Sequence, residues 1–260
     1  MTDDGLRVLL AIPLGLIVGS FMTVVVARVP AKESLLRPRS RCPSCGVQIR
    51  DRDNIPVLGW LLLGGRCRSC GERISAVYPA LEITTAAVIV AAFLVYENLW
   101  VATAIAGLLA LMPALSVIDL RHRIIPNAIV YPALIAFPLF LVVAWLAGAP
   151  VDLARMGLGF LTYGGGLLVI AFIAPGGMGM GDVKLCALIG AVLGSVGLGL
   201  VAVAAGAAIV IGGIAGVVAL VVGKGRKAKM PFGPAIAVGA IVAALWGQRI
   251  ADWYLGAVGL

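Results

Sequence analysis

Residues 183–222 read VKLCALIGAVLGSVGLGLVAVAAGAAIVIGGIAGVVALVV, a run of forty positions whose one charged side chain is Lys184. A helix needs about 20 apolar residues to cross the hydrocarbon core of a bilayer, so this run is long enough for two passes. The glycine-rich stretch 194–199 offers the place for a turn between them. The run therefore predicts two consecutive membrane helices.

The rest of the chain has the same character: of 260 residues, 62% are hydrophobic and 12% charged, and the mean hydropathy is +1.09. Soluble domains carry about a quarter charged residues, and apolar runs of this length favour helices over short alternating strands. We expect an all-α membrane protein with about eight transmembrane helices. The apolar runs lie at 8–27, 77–96, 99–118, 125–147, 153–174, 183–199, 200–222 and 232–250.

The basic residues predict the orientation in the membrane. Seventeen of the twenty Lys and Arg residues fall in connections on one side, at 28–76, 119–124, 175–184 and 223–231. The positive-inside rule makes that side cytoplasmic and puts the N-terminus outside. The net charge of +8 then reports topology and contact with the lipid bilayer, and nucleic acid is not an expected partner. The first run is too long for a cleaved signal and is expected to stay as an anchor.

Four cysteines stand in the large loop, as Cys42-Pro43-Ser44-Cys45 and Cys67-Arg68-Ser69-Cys70. Two CxxC pairs at this spacing are typical of a zinc ribbon, and four thiolates leave no open coordination position, so the metal would be structural. Disulfides or free thiols are the alternatives, and a cytoplasmic loop disfavours disulfides. We expect three parts: a first transmembrane helix at 1–27, a cytoplasmic zinc-binding loop at 28–76, and a seven-helix membrane core at 77–260.

Two acids, Asp119 and Asp182, fall at helix ends on the predicted cytoplasmic side. Ionised carboxylates are costly in a membrane and are usually retained for a task. Two close carboxyl groups can share a proton, so that one activates water while the other protonates the scissile carbonyl group, as in aspartic proteases. Gly179 and Gly181 leave open backbone beside Asp182, where a peptide substrate can approach. A helix-capping role for Asp182, and surface ion pairs for Asp119, are the simpler alternatives.

Two further charged residues are candidates for binding a substrate or cofactor. Glu82 lies inside the second apolar run, and Lys184 follows Asp182 by two positions. Pairing with a basic neighbour for Glu82, and a topology signal for Lys184, are the alternatives. Cys186 lies inside a helix and is expected to be a small core residue.

An ordered series of motifs spans nearly the whole chain and resembles the bacterial type IV prepilin peptidases. The series comprises Gly19-Ser20-Phe21-Met22-Thr23-Val24, Arg28-Val29-Pro30, the doubled CxxC around Asp53-Asn54-Ile55-Pro56 and Trp60-Leu61, Tyr78-Pro79-Ala80-Leu81-Glu82, Asp119 with Ile125-Pro126-Asn127, Gly179-Met180-Gly181-Asp182-Val183-Lys184-Leu185, and Phe232-Gly233-Pro234. A single GxGD motif is weak evidence, whereas this ordered set is specific.

The resemblance implies that Asp119 and Asp182 are the catalytic pair of a GxGD membrane aspartic protease. It implies cleavage of a basic leader peptide after a glycine, in prepilins or type II secretion pseudopilins, at the cytoplasmic face of the bacterial inner membrane. It also implies N-methylation of the new N-terminal residue with S-adenosylmethionine. Thr23 stands where the family usually has Asn, a departure that bears on methyl transfer, and Arg121 stands where a second acid is frequent.

Two other functions remain open at this point. A cleavage-only GxGD peptidase fits the two aspartates but not the large cysteine-containing loop. A carboxylate-dependent membrane transporter would place its acids near the bilayer midplane and would show an inverted repeat.

Overall fold

The computed structural model describes residues 3–173, 178–222 and 231–258. Over these residues the chain is almost wholly helical, and its extended pairing is limited to two isolated antiparallel bridges in the cysteine-containing loop. The helices are α1 Asp3–Arg28, α2 Leu58–Leu62, α3 Val77–Val95, α4 Leu99–His122, α5 Asn127–Leu146, α6 Leu153–Gly159, α7 Gly166–Ile173, α8 Met180–Gly194, α9 Leu198–Val221 and α10 Gly233–Val258.

The predicted all-α membrane architecture is confirmed. Within the described ranges, seven helices are long and apolar enough to cross a membrane. One of the seven consists of α6 and α7, which a π-helical segment at Phe160–Gly165 joins into a continuous helix. The eighth, α8, has 15 residues and is about 22 Å long at 1.5 Å per residue, shorter than the hydrocarbon core. It is nevertheless buried from Leu185 to Gly194, so protein rather than lipid surrounds it.

The described connections between helices lie close to their predicted positions, except that α4 ends later than its apolar run. The predicted turn in the forty-residue run falls at 195–197, between α8 and α9. Helix α4 continues about one turn past position 118, where the predicted apolar run ends. It stops where Arg123 adopts a left-handed backbone conformation, with its N–H donating to the Asp119 carbonyl oxygen. Asp119 therefore lies inside the helix, because backbone hydrogen bonding rather than hydropathy sets the helix end. The basic run 224–229 lies outside the described residues.

The core forms around α4 and α8, which pack side by side with α10. Large side chains from these helices, such as Leu108, Leu188 and Ile236, are fully buried. Helix α1 packs along α3, and α9 packs along α10, so the pairs flank this centre. The outer faces of α5, α7 and α9 carry many exposed Leu, Ile and Val residues, as expected for surfaces in contact with lipid.

Glycines set the closest helix contacts. A Cβ atom on Gly190 of α8 would meet the carbonyl oxygen of Gly159 at the end of α6, and a Cβ atom on Gly159 would meet that of Gly190. On the other side of the bundle, a Cβ atom on Gly19 of α1 would lie 2.7 Å from the Cα atom of Glu82 in α3. Small residues at such positions allow helix backbones to approach in membranes.

We predict that Gly190→Leu lowers the free energy of unfolding by about 2 kcal/mol or more, because a side chain must separate α6 from α8. Gly206→Leu is the matched control, since a Cβ atom on Gly206 of α9 meets no other atom within 4 Å. Unfolding of both variants in detergent micelles, followed by circular dichroism, measures the difference. Equal stability of the two variants would contradict the contact.

Candidate active site and metal centre

Asp119 is a buried acid in the last turn of α4, with 5% of its surface exposed. The backbone N–H of Gly233, the first residue of α10, donates a hydrogen bond to Asp119 Oδ2 at 2.8 Å. A Cβ atom on Gly233 would lie 2.7 Å from the same oxygen, so only glycine permits this approach. The first N–H groups of a helix have no partner within the helix. The Asp119 carboxylate accepts a hydrogen bond from one of these N–H groups, and this bond stabilises the negative charge of the carboxylate.

The residues around Gly233 fix this amide in place. The Phe232 ring lies against Gly212 of α9, where a Cβ atom would overlap it. Pro234 follows in the first turn of α10, where the missing N–H costs no hydrogen bond. The Phe232-Gly233-Pro234 motif thus begins α10. Its phenylalanine packs α10 against α9, and its glycine donates a backbone N–H to Asp119.

Asp182 is the third residue of α8 and is half-buried. Gly179 precedes the helix in an extended conformation, and its carbonyl oxygen accepts the Asp182 N–H at 3.0 Å. A Cβ atom on Gly181 would lie 2.9 Å from Ile125 Cβ, so Gly181 lets the start of α8 approach the α4–α5 connection. The two predicted acids therefore lie at the same end of the bundle.

Lys184 links α8 to α5 beside this pair. Its Nζ donates to Asn127 Oδ1 at 3.0 Å and lies 4.5 Å from the centroid of the Tyr131 ring. Both partners belong to the first turns of α5. The ammonium group is thus engaged by protein groups, which favours a positioning role over the predicted cofactor contact.

Glu82 lies elsewhere, under the cysteine-containing loop. It is 8% exposed, and its Oε2 accepts the N–H of Val57 at 2.6 Å. Val57 has a positive φ of 60° and directly precedes the short helix α2. The carboxylate therefore attaches the loop to α3 and satisfies an amide at the start of α2.

The four predicted cysteine ligands come together in the loop. The Sγ atoms of Cys42, Cys45, Cys67 and Cys70 all lie within 4.8 Å of one another, and those of Cys42 and Cys70 are 3.8 Å apart. A tetrahedral zinc site with Zn–S bonds of about 2.3 Å requires sulfur atoms about 3.8 Å apart. The cluster fits a zinc ion.

The two CxxC segments have the same backbone structure. In the first, Cys42 N–H donates to Val47 O at 2.9 Å and Gly46 N–H donates to Cys42 O at 2.9 Å. In the second, Cys67 and Gly71 repeat this arrangement, with distances of 2.8 and 2.9 Å. Gly46 and Gly71 both have φ of +71°, a conformation that glycine adopts without strain. Each turn therefore presents two thiols to one point.

The surroundings of the thiols favour binding of a cation. The N–H groups of Cys45 and Ser44 lower the pKa of Cys42 to about 6, which favours the thiolate form that binds metals. The amide of Glu72 lowers the pKa of Cys70, but desolvation and the three other thiols outweigh it and raise that pKa to about 12. A divalent cation would offset this crowding of negative charge.

An ion pair connects the second CxxC turn to the middle of the loop. Arg68 donates to both carboxylate oxygens of Asp53 at 2.7 and 2.8 Å, and it holds the pKa of Asp53 below its usual value. The Asp53 side chain is 8% exposed, so this bidentate pair is well shielded from water. The ion pair therefore joins the second CxxC turn of the cysteine cluster to the turn that precedes α2.

A cavity of about 460 Å³ lies between this loop and helices α1 and α3. The loop supplies Asp53 and Trp60 to its wall, and the helices supply Thr23, Tyr78 and Glu82. The cavity therefore combines charged, polar and aromatic groups outside the aspartate pair.

Comparison with known proteins identifies the same family in both halves of the chain. The bacterial peptidase A24 N-terminal domain matches residues 13–96, and the type IV leader peptidase family matches residues 105–221. The chain is 39% identical to the prepilin leader peptidase/N-methyltransferase of Bacillus subtilis, over 93% of this chain and 95% of the relative. The chain belongs to the type IV leader peptidase family.

Other members of the family match over similar lengths. The prepilin leader peptidase/N-methyltransferase of Pseudomonas aeruginosa is 34% identical over 95% of this chain and 93% of its own. The type 4 prepilin-like proteins leader peptide-processing enzyme of Escherichia coli is 36% identical over 87% and 89%. No solved structure matches the chain.

The structure adds site residues that sequence reasoning did not identify. These residues act through contacts between distant segments. The Gly233 amide contacts Asp119, Gly212 contacts the Phe232 ring, and Asn127 contacts Lys184. Gly233 and Asn127 belong to the short motifs Phe232-Gly233-Pro234 and Ile125-Pro126-Asn127, whereas Gly212 lies outside the quoted motifs. Cys186 is fully buried in α8, as expected for a core residue.

The four-cysteine geometry predicts about one equivalent of zinc per purified chain, held without any open position. Cys67→Ser should lower the zinc content below about half an equivalent, because three thiolates and a hydroxyl bind the ion more weakly. Cys186→Ala is the control and should keep full zinc content, since Cys186 lies in α8 outside the cluster. Elemental analysis in a buffer without chelators gives the result. Less than half an equivalent in the unmodified protein would contradict a zinc site.

Proposed function

We propose that this protein is a membrane aspartic endopeptidase that cleaves leader peptides of prepilins or pseudopilins and N-methylates the new N-terminus, with Asp119 and Asp182 as its catalytic pair. One observation supports the assignment: two acids from separate family motifs lie at the same end of the bundle, Asp119 in the last turn of α4 and Asp182 in the first turn of α8 beside the α4–α5 connection. The names of the relatives support both activities.

The environments of the two acids suggest different roles. The Gly233 amide donates to Asp119 Oδ2 and stabilises its ionised form, so we assign Asp119 as the general base. Asp182, which is half-buried at the start of α8, then holds the proton shared by the pair. Asp119 takes a proton from water, the oxygen of that water attacks the scissile carbonyl carbon, and Asp182 donates its proton to the carbonyl oxygen. Asp119 then passes its proton to the amide nitrogen, the C–N bond breaks, and a hydroxyl group of the tetrahedral intermediate returns a proton to Asp182 as the new carboxyl group forms.

The backbone before Asp182 suits a peptide substrate. Gly179 is exposed and extended, with φ of −78° and ψ of 138°, and Gly181 carries no side chain above the acid. An extended substrate segment can approach exposed backbone in this conformation and form main-chain hydrogen bonds with it. The family resemblance supplies the rest of the proposed specificity, namely a basic leader and cleavage after a glycine.

The distribution of basic residues supports the proposed setting, a bacterial inner membrane with the N-terminus outside. The cysteine-containing loop and both aspartates then face the cytoplasm, where substrates carry their leaders. The division into 1–27, 28–76 and 77–260 stays a proposal.

Zinc and S-adenosylmethionine complete the proposed function. Zinc would be held by the four cysteines in a structural role, because no coordination position stays open for water. Thr23, at the position where the family usually has Asn, donates to the Ser20 carbonyl oxygen at 2.7 Å and lines the cavity. Its hydroxyl group is thus satisfied within α1, and methyl transfer does not depend on it in this proposal.

The two alternative functions make different predictions. A cleavage-only peptidase would yield a mature N-terminus without the methyl increment in intact mass, whereas we expect that increment. A transporter is not favoured, because Asp119 and Asp182 lie together at one end of the bundle rather than near its middle.

We expect Asp119→Asn and Asp182→Asn each to reduce leader cleavage of a co-expressed prepilin by about 1000-fold, because either change removes one partner of the proton transfer. Asp252→Asn is the control: Asp252 is exposed in α10 and accepts a hydrogen bond from Gln248. Intact mass of the prepilin reports cleavage. Normal processing by either Asn variant of the pair would refute the assignment.

Gly233→Ala should lower leader cleavage by about 100-fold while the protein stays folded, because a methyl group would push the Asp119 carboxylate from its position. Gly256→Ala, in the same helix, is the matched control, since a Cβ atom there meets nothing within 4 Å. Initial cleavage rates on a purified prepilin, with thermal unfolding measured in parallel, distinguish lost activity from lost structure. A Gly233→Ala enzyme with normal rates would show that the amide contact is dispensable.

A further inference from the structure

We propose that the short helix α2 inserts its leucines into the membrane leaflet on the side of the cysteine-containing loop, which is cytoplasmic in the proposed orientation, and attaches the loop to anionic lipid. Residues 55–62 read IPVLGWLL. Four of their apolar side chains are exposed, with exposed fractions of 45% for Ile55, 56% for Leu58, 58% for Leu61 and 78% for Leu62. In a loop surrounded by water, this apolar surface would be unfavourable.

The other face of α2 packs against the protein. Trp60 Nε1 donates to the Ile74 carbonyl oxygen at 3.1 Å, shortly before α3 begins, and the Trp60 ring covers Gly65. Gly59 is buried, and a Cβ atom on it would overlap the carbonyl oxygen of Asp53. One side of α2 is therefore fixed to the loop and to the start of α3, and the leucines lie on the side without these contacts.

Contacts with α1 and α3 place the start of α2 below the ends of those helices. The N–H of Val57, directly before α2, donates to Glu82 Oε2 at 2.6 Å. At 1.5 Å per residue, Glu82 lies about 7 Å from the start of α3, and its α1 neighbour Gly19 lies about 13 Å from the end of α1 at Arg28. The headgroup region of one leaflet is about 5 to 8 Å thick. With the helix ends at the membrane surface, α2 therefore begins where headgroups meet acyl chains, the depth at which interfacial helices bind.

Basic residues flank the leucines on both sides. Arg52 belongs to the turn Asp51–Asn54, which packs against α2, and Arg66 follows α2 by four residues. Both are exposed, and neither forms an ion pair with another residue in the part of the chain that the structure describes. Arginines at a bilayer surface attract anionic headgroups, while apolar side chains between them enter the acyl region. This combination of charge and depth favours a lipid leaflet over a peptide partner.

Lipid contact at α2 holds the loop against the side of the bundle. Val57 and Trp60 both line the cavity between the loop and helices α1 and α3. The leucines on the outer side of α2 and the Trp60 ring on its inner side move together, because they belong to one short helix. The depth of α2 in the leaflet therefore sets the position of one wall of the cavity.

Photo-crosslinking of the full-length protein in bilayers of phosphatidylglycerol and phosphatidylcholine tests the contact. The photoreactive amino acid benzoylphenylalanine replaces Leu62 or, as the matched control from the inner side of the same helix, Trp60. Peptide mass spectrometry should show at least about tenfold more lipid adduct at position 62 than at position 60, since only the outer side enters the leaflet. Equal zinc content in both variants shows that the loop is folded. Equal lipid labelling, or no lipid adduct at position 62, would overturn the proposal, as would an added prepilin that takes the label in place of lipid.

The same label tests the role of the arginines. With equal amounts of the two lipids, adducts at position 62 should contain at least about threefold more phosphatidylglycerol than phosphatidylcholine, and Arg52→Gln with Arg66→Gln should remove this preference. Arg249→Gln is the matched control, an exposed arginine of α10 outside the loop, and should retain it. An unchanged preference in the double variant would contradict the lipid contact of these arginines. None of these measurements uses leader cleavage, so failure of the peptidase assignment would leave the result for α2 intact.

Discussion

The central constraint on this structure is the placement of a carboxylate inside an apolar bundle. Asp119 is 5% exposed, and an isolated ionised group at such depth is strongly unfavourable. The amide of Gly233 compensates for this, because it is itself a helix-terminal donor without an internal partner. The hydrogen bond between the Gly233 N–H and the Asp119 carboxylate therefore satisfies two buried polar groups that would otherwise lack a partner. It also joins α10 to α4.

Much of the surrounding structure maintains that contact. Gly212 accepts the Phe232 ring, which fixes the start of α10, and Gly181 accepts Ile125, which fixes the start of α8. Lys184 then ties α8 to α5 through Asn127. The Lys184–Asn127 contact joins segments 57 residues apart and the Asp119–Gly233 contact segments 114 residues apart, and together they place Asp182 and Asp119 at the same end of the bundle. Glycine is needed at Gly181, Gly212 and Gly233 because the Ile125 side chain, the Phe232 ring and the Asp119 carboxylate occupy the space that a Cβ atom would take.

The cysteine-containing loop is fastened to the membrane bundle by a second buried carboxylate. Glu82 holds Val57, Arg68 holds Asp53, and the four thiols close the two turns around one point. The loop has little apolar content of its own, so a bound metal ion would supply folding energy that a small core lacks. The cavity wall is built from both the loop and the helices. Its shape therefore depends on the four-cysteine cluster and on the contact between Glu82 and Val57.

Some features follow from the sequence because they depend on local composition. Apolar runs of about 20 residues determine helices, since the backbone in lipid has to satisfy its own hydrogen bonds. The doubled CxxC with glycine after each pair determines the two turns, because those glycines adopt φ of +71°. The acids Asp119 and Asp182 were also identifiable, since charge is rare in such runs.

Tertiary structure alone decided which groups meet. Hydropathy ended the α4 run at 118, but the helix continues to His122, so Asp119 became a buried helix residue. The Gly233 contact, the pairing of Lys184 with Asn127 and the cavity above Glu82 each join segments that are distant in the chain. No local pattern encodes them, because close packing of helices is fixed by the mutual fit of many side chains. The sequence by itself determined the helices and the reactive groups, and the packing determined their partners.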